Sequence, residues 1–350
     1  MLPTLLCDLL SADATSRKVW NMDPTALHDD CIVIDGLEIS HWSRSVFEDM
    51  RKGGLTAVNC TCAVWEGVRG TMDNIARWKR WFGENSDIIL QVYSANDIRR
   101  AKREGKTGIS LGWQNAYAVE DRLEYLQLFK ELGVNTIQLT YNTHNLVGSG
   151  CWETVDSGLS DFGRDLIDEM NRLGMLVDLS HVGPKTSSDA IAHSKKPVAY
   201  THCAPAALFD HPRNKSDAQL REIADQGGFV GYATYPMFLA RGADSTVEDC
   251  VAGMEHLVSL IGEDNVGIGT DFTQDQDVAF FDYLSCDKGT GRRIVPPRPN
   301  GGVTVMPEGL RTIGDFPNLT YTMLERGWPE ARVRKVMGEN WLRFLDEIWT

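Results

Sequence analysis

The sequence predicts a (β/α)8 barrel, and three observations carry that expectation. Short apolar runs recur along the chain with helix-length intervals between them, the pattern of parallel strands buried on both faces. Strands alternating with helices in this way build a parallel sheet closed by outer helices. Polar residues of metal-ligand type, His181, His202 and Asp271, each close one of the runs, and a parallel barrel gathers such strand ends into one mouth. No Ser/Gly-rich linker, repeat or low-complexity run divides the 350 residues, so one domain is expected over 1–350.

In chain order, residues 1–30 read as a helical lead-in, with Asp23-Pro24 a helix start because proline is tolerated at the first helical position. Cys31–Gly36 is the first strand, running on through Leu37-Glu38-Ile39 to a helix at 43–52. Leu55–Cys60 is the second strand, and the spacing of Ile75, Trp78 and Trp81 predicts a helix over 72–84. An extra strand-like piece, Ile88–Tyr93, precedes a basic helix at 95–104, and Thr107–Trp113 is the third barrel strand, with Gln114 and Asn115 at its end. Leu123, Leu126, Phe129 and Leu132 form the stripe of a core-facing helix over 120–132.

Val134–Thr140 is the fourth strand, opening into Tyr141-Asn-Thr-His-Asn145 and a glycine-rich loop to Gly150. A helix over 159–173 delivers the fifth strand, 175–180, which ends at His181; the sixth, 197–201, ends at His202. Gly228–Ala233 is the seventh and Val266–Asp271 the eighth. Segment 273–306, rich in Gly, Pro and Asp, is too long for a turn and is expected at the rim as a lid or an oligomer contact. Helices close the chain over 307–350.

The net charge of −14 argues against binding nucleic acid, which needs clustered Lys and Arg. The apolar opening, Met1 to Leu10, has no basic start and is too short for a signal peptide or a membrane span. The eight cysteines show no framework spacing, so reduced thiols in a cytoplasmic protein are expected, with Cys203 a small apolar filler. A homodimer is expected, since symmetric dimers are the commonest assemblies.

Two imidazoles delivered by consecutive strands can share one metal ion. Around them lie Leu176-Val-Asp-Leu-Ser-His181, Ala199-Tyr-Thr-His202, Arg213-Asn214, Val266-Gly-Ile-Gly-Thr-Asp271 and Gly338-Glu-Asn-Trp-Leu-Arg343. In these motifs, in order and spacing over roughly residues 30 to 346, the chain resembles the membrane (renal) dipeptidase family of the amidohydrolase superfamily. The resemblance implies two zinc ions. It matches His181 and His202 to the histidines of one ion, Asp271 to an aspartate of the other, and Arg213 to the arginine that binds the substrate carboxylate.

The sequence also departs from the family pattern. Leu37 and Ile39 stand where the family has the His and Asp of His-x-Asp, Gln114 (or, in a shifted alignment, Gly112) replaces the bridging Glu, and Tyr141 replaces a His. Hydrocarbon side chains cannot ligate an ion. The expectation is therefore a reduced centre, one zinc ion in place of two, or none, held by His181, His202 and Asp271 with Gln114 or Glu38 as fourth group. Strand alternation aims Glu38 away from that face.

The expected reaction is hydrolysis of an amide or peptide bond in a small carboxylate-bearing molecule. Arg213 grips the carboxylate, Tyr141 donates its phenol to the developing oxyanion, and Asp271 binds the ion or relays a proton. Gln114 and Asn145 face the substrate, and His41 and Trp42 line the pocket. His144 is an ordinary loop histidine, or one in a loop that folds over the mouth. Two other readings remain: a same-fold enzyme acting on a modified amino acid without peptide hydrolysis, and a non-catalytic small-molecule binder. A pure scaffold has no need of two His, an Asp and an Arg together, which disfavours the last.

Overall fold

The structure is a computed structural model that describes residues 23–297 and 302–349. Its parallel strands are β1 (Ile34–Glu38), β2 (Ala57–Ala63), β3 (Ile89–Gln91), β4 (Thr107–Trp113), β5 (Val134–Gln138), β6 (Leu176–Asp178), β7 (Ala199–Cys203), β8 (Phe229–Tyr232) and β9 (Val266–Ile268). They run in the order β2-β1-β9-β8-β7-β6-β5-β4, and β2 pairs with β4 to close the ring. The extra strand β3 stays outside it. β3 pairs with Thr107–Ile109 of β4, while β5 takes Leu111–Trp113 farther along.

The outer helices within residues 23–261 are α1 (Pro24–Asp30), α2 (Arg44–Lys52), α3 (Val68–Glu84), α4 (Ala95–Glu104), α5 (Tyr125–Glu131), α6 (Asp161–Leu173), α7 (Pro184–His193), α8 (Asp217–Asp225) and α9 (Val247–Ile261). Their ends follow local chemistry. The Ser160 hydroxyl accepts from Gly163 N–H, and Ser216 with Gln219 and Thr246 with Asp249 form capping boxes. Gly105 and Gly174 end α4 and α6 in the left-handed region, at φ 65° and 63°, where glycine pays no Cβ penalty.

Two expected elements are displaced. The second strand starts two residues late because Leu55 N–H still closes the α2 turn on Met50 O. The helix expected over 120–132 is cut to Tyr125–Glu131, since Glu120 adopts φ 53° after a 3-10 turn at Ala116–Val119. The lead-in is helical from Pro24, capped by Asp23; residues 1–22 lie outside the described residues, as do 298–301 of the rim segment. That segment carries a helix, α10 (Val278–Ser285), over the mouth. Then come α11 (Pro317–Glu325), α12 (Glu330–Arg334) and α13 (Asn340–Ile348).

Helix α13 seals the floor. Its Trp341 indole donates to Ile268 O at 2.8 Å and lies 1% exposed among Ile34, Phe229 and Phe344. A Cβ at Gly36, Gly267 or Gly231 would come within 2.5, 2.7 or 3.1 Å of that ring, so three strands carry glycine where the indole sits. Trp341→Ala is expected to cost about 3–5 kcal/mol and Gly36→Ala about 1–3 kcal/mol by overpacking, read from urea unfolding. A neutral Gly36→Ala would show that the ring does not fill the floor.

Where the barrel closes, Asp35 of β1 accepts from Thr270 N–H at 2.8 Å and from the Thr270 hydroxyl. Glu38 lies beside it with no exposed surface, in hydrogen-bond reach of the Asp35 carboxyl. Burial pushes the Asp35 carboxyl up to about 7, and burial with the Asp35 charge pushes Glu38 well above its ordinary range. The unfolded chain ionises both near pH 4, so the fold holds protons that the unfolded chain has lost, and stability falls as pH rises from about 4 through 7. Glu38→Gln is expected to melt above wild type at pH 8, with the gain shrinking toward pH 4.5. A gain constant across that range would place the retained proton elsewhere.

Candidate active site

The site is built around a buried carboxylate. Asp178 ends β6, and its Oδ1 accepts from Ser180 N–H (2.9 Å), Ser180 Oγ (2.6 Å) and Thr201 N–H (3.1 Å), while Oδ2 accepts from Thr201 Oγ1 at 2.7 Å. The Thr201 proton goes to Asp178, so the Thr201 oxygen is left to accept from His202 Nδ1, 2.8 Å away. On the other ring, His181 Nδ1 lies 2.8 Å from Asn142 Oδ1. Each imidazole thus gives its Nδ1 proton to a fixed acceptor and presents a bare Nε2. The two Nε2 atoms face each other at 3.1 Å.

Burial, then the charges of Arg213 and Lys215, hold both imidazoles well below their ordinary pKa, with His202 adding to the effect on His181. Two neutral rings with opposed lone pairs repel unless a proton or a cation lies between them. Two nitrogens on one tetrahedral zinc, each about 2.0–2.1 Å from it, stand about 3.3 Å apart. The pair fits one ion.

The remainder of a two-ion centre does not fit. Leu37 and Ile39 are buried hydrocarbon, 2% and 5% exposed, and the Tyr141 ring stacks on His181 with centroids 4.2 Å apart. Among the described residues no three His, Cys, Asp or Glu side chains converge as a metal site. Of the expected set His181, His202 and Asp271, the imidazoles meet, and Asp271 lines the cavity that His181 lines without joining them in a three-ligand cluster. Its backbone donates N–H to Leu37 O from a left-handed conformation, φ 61°, which sets the direction of its side chain.

Arg213, Gln114 and Tyr141 line the same cavity of about 40 Å3, roofed by Phe238 and by Leu284 from α10. The rim segment thus contributes Leu284, Ser285 and Val295 to the cavity lining. Arg213 donates to the main-chain oxygens of Ser180 and His202 and lies 4.8 Å over the Phe238 ring, with its Nε unpartnered. Main chain next to one imidazole and at the other thus positions the guanidinium. Gln114 Nε2 donates to Thr61 Oγ1 at 3.1 Å.

Other expected residues fall elsewhere. Asn145 donates to Asn115 Oδ1 and Leu139 O and accepts from Val147 and Gly148 N–H, so its amide ties the loop, and it lines a neighbouring cavity with His144. His41 and Trp42 line a third, beside α3. Glu38 lines none of the three, and the register of β1 shifts between Asp35 and Glu38. Sequence reasoning missed Asn142, Asp178 and Thr201 as orienting groups. The signal was present in the short hydroxyl residues Ser180 and Thr201 immediately before each strand-end histidine.

Among the described residues no helix is long and apolar enough to cross a membrane. Residues 34–282 and 299–350 match the membrane dipeptidase family, peptidase family M19. The chain is 31% identical over 284 residues to dipeptidase tcpJ of Claviceps purpurea, covering 80% of this chain and 60% of that protein. It is 30% identical over 284 residues to an uncharacterised dipeptidase of Schizosaccharomyces pombe, covering 79% and 62%. The match thus spans about three-fifths of these curated relatives. A crystal structure of an amidohydrolase from Pseudomonas aeruginosa shares 55% identity at a TM-score of 0.91, over 94% of this chain and 99% of that one. On this matched length, and on a barrel that ends β6 and β7 in paired imidazoles, the chain belongs to the membrane dipeptidase family.

Proposed function

We propose that this protein hydrolyses an amide bond in a small carboxylate-bearing molecule, of the dipeptide or N-acyl amino acid class, with a single zinc ion between His181 and His202. The observation that supports it is the pair of Nε2 atoms at 3.1 Å, each ring oriented by an acceptor on its Nδ1. The chemistry zinc supplies in such a site is acidification of water and polarisation of a carbonyl. Arg213, which lines the cavity and has a buried Nε without a protein partner, binds the substrate carboxylate. Tyr141 donates its phenol to the oxygen that gains charge, and Gln114 orients the amide. Asp271 takes a proton from the attacking water and returns it to the leaving amine. The roof over the cavity keeps bulk water from these charges.

A second reading keeps the fold and changes the reaction to one on a modified amino acid without peptide hydrolysis. It is favoured by one observation, the apolar Ile39 in the cavity wall where the family has a ligand.

Protein purified without chelator is expected to carry about one zinc per chain, and His181→Ala and His202→Ala each to lose it, as read by elemental analysis. Metal retained by either variant would break the ligand assignment. Thr201→Val leaves the His202 Nδ1 proton without its acceptor and is expected to weaken zinc affinity about 10–100-fold. Turnover of dipeptides or N-acyl amino acids is expected to vanish in Asp271→Asn, and turnover that persists there removes Asp271 from the proton path.

A further inference from the structure

Beside the His181 cavity lies a larger one, about 930 Å3 against about 40 Å3. Its walls come from the loop after β4 (Ala116, Tyr117), the loop after β5 (Leu146, Val147), Phe162 of α6 and Trp65 after β2. Volume and apolar lining are those of a small-molecule site. The Trp65 and Tyr141 rings stand between the two spaces. Trp65 meets Tyr141 edge-on with centroids 5.1 Å apart, and Tyr141 stacks on His181.

Three features describe what this space takes. The Trp65 indole is 6% exposed and its Nε1 has no hydrogen-bond partner; an indole N–H is a donor only and calls for an acceptor. Glu120 and Asp121 line the wall with one cation, Lys288, a net negative lining that disfavours a second anion. Leu146 and Tyr117, 58% and 38% exposed, leave apolar surface at the entrance. Glu120 is held at φ 53°, with its Oε1 3.5 Å from Val68 N–H at the start of α3, so this wall is set in place against the helix.

We infer that the rim cavity receives the acyl group of an N-acyl amino acid, a long apolar or aromatic chain packed against the walls given by Trp65, Tyr117, Leu146 and Phe162. The inference rests on the hydrolytic reading above and names its substrate class. The carboxylate sits at Arg213, the amide beside His181 and Tyr141, and the chain passes Trp65 into the rim. Water adds across the amide: the acyl carbon gains the oxygen, the C–N bond breaks, the acid leaves as carboxylate, and the amino acid nitrogen takes both protons of the water and leaves as ammonium.

The test compares N-decanoyl-alanine with N-acetyl-alanine as racemates on zinc-supplemented protein, wild type and Leu146→Trp. Leu146 is more than half exposed, so a tryptophan there fills the entrance without disturbing the core, and circular dichroism checks the fold. The expected result is a kcat/KM for the decanoyl compound about tenfold or more above the acetyl one, with that ratio falling about tenfold in Leu146→Trp. Hydrolysis indifferent to chain length, or a ratio unmoved by the variant, overturns the inference and leaves the hydrolase reading standing. If neither compound turns over, calorimetric binding of N-decanoyl-alanine decides. Binding weakened by Leu146→Trp keeps the rim site and overturns hydrolysis, and no binding overturns both.

Discussion

Asp178 is the group on which the site's geometry depends. One carboxylate takes four donors from two adjacent strand ends. It joins β6 to β7 where the ladder between them is reduced to a single residue pair, Asp178 with Ala199. Burial pushes its carboxyl up, and the four hydrogen bonds pull it back toward the ionised form. Because the Thr201 hydroxyl is turned toward Asp178, the tautomer of His202 is fixed. The aim of one Nε2 at the other follows from a carboxylate that acts on His202 through Thr201, its own Oδ2 lying 3.8 Å from His202 Nδ1.

The two sides of the mouth differ in chemistry. The paired imidazoles, with their orienting acceptors, stand at the ends of β6 and β7. On β1 the strand is intact but its mouth-facing side chains are hydrocarbon. Around Leu37 and Ile39 the acids turn to another task, with Asp35 stapling the first strand to the last and Glu38 packed near it. The cavity accordingly joins apolar walls from Ile39, Phe238 and Leu284 to the charged side chains of Arg213 and Asp271.

Much of the barrel was legible in the sequence because each strand is buried on both faces and reads as an unbroken apolar run. The displaced elements fail for local reasons: Leu55 is apolar but serves the preceding turn, and Glu120 breaks a helix stripe whose apolar spacing continues past it. In the site, strand-end histidines were legible because their neighbours repeat a family pattern. The loop Tyr141-Asn-Thr-His-Asn145 was not, since it holds two asparagines and spacing cannot choose between them. Asn142, at φ 59°, turns its oxygen to His181, while Asn145 ties the loop. That choice depends on backbone handedness, which side-chain patterning does not encode.

The tryptophan in the barrel floor also orders events during synthesis. Strands β1, β8 and β9 each place a glycine against the indole of Trp341. A nascent chain that has emerged as far as β9 holds all eight ring strands but an open base, with Ile34 and Phe229 facing water. Such exposed apolar surface invites aggregation or chaperone capture. Closure of the barrel base therefore waits for α13, which follows β9 in the chain, to leave the ribosome.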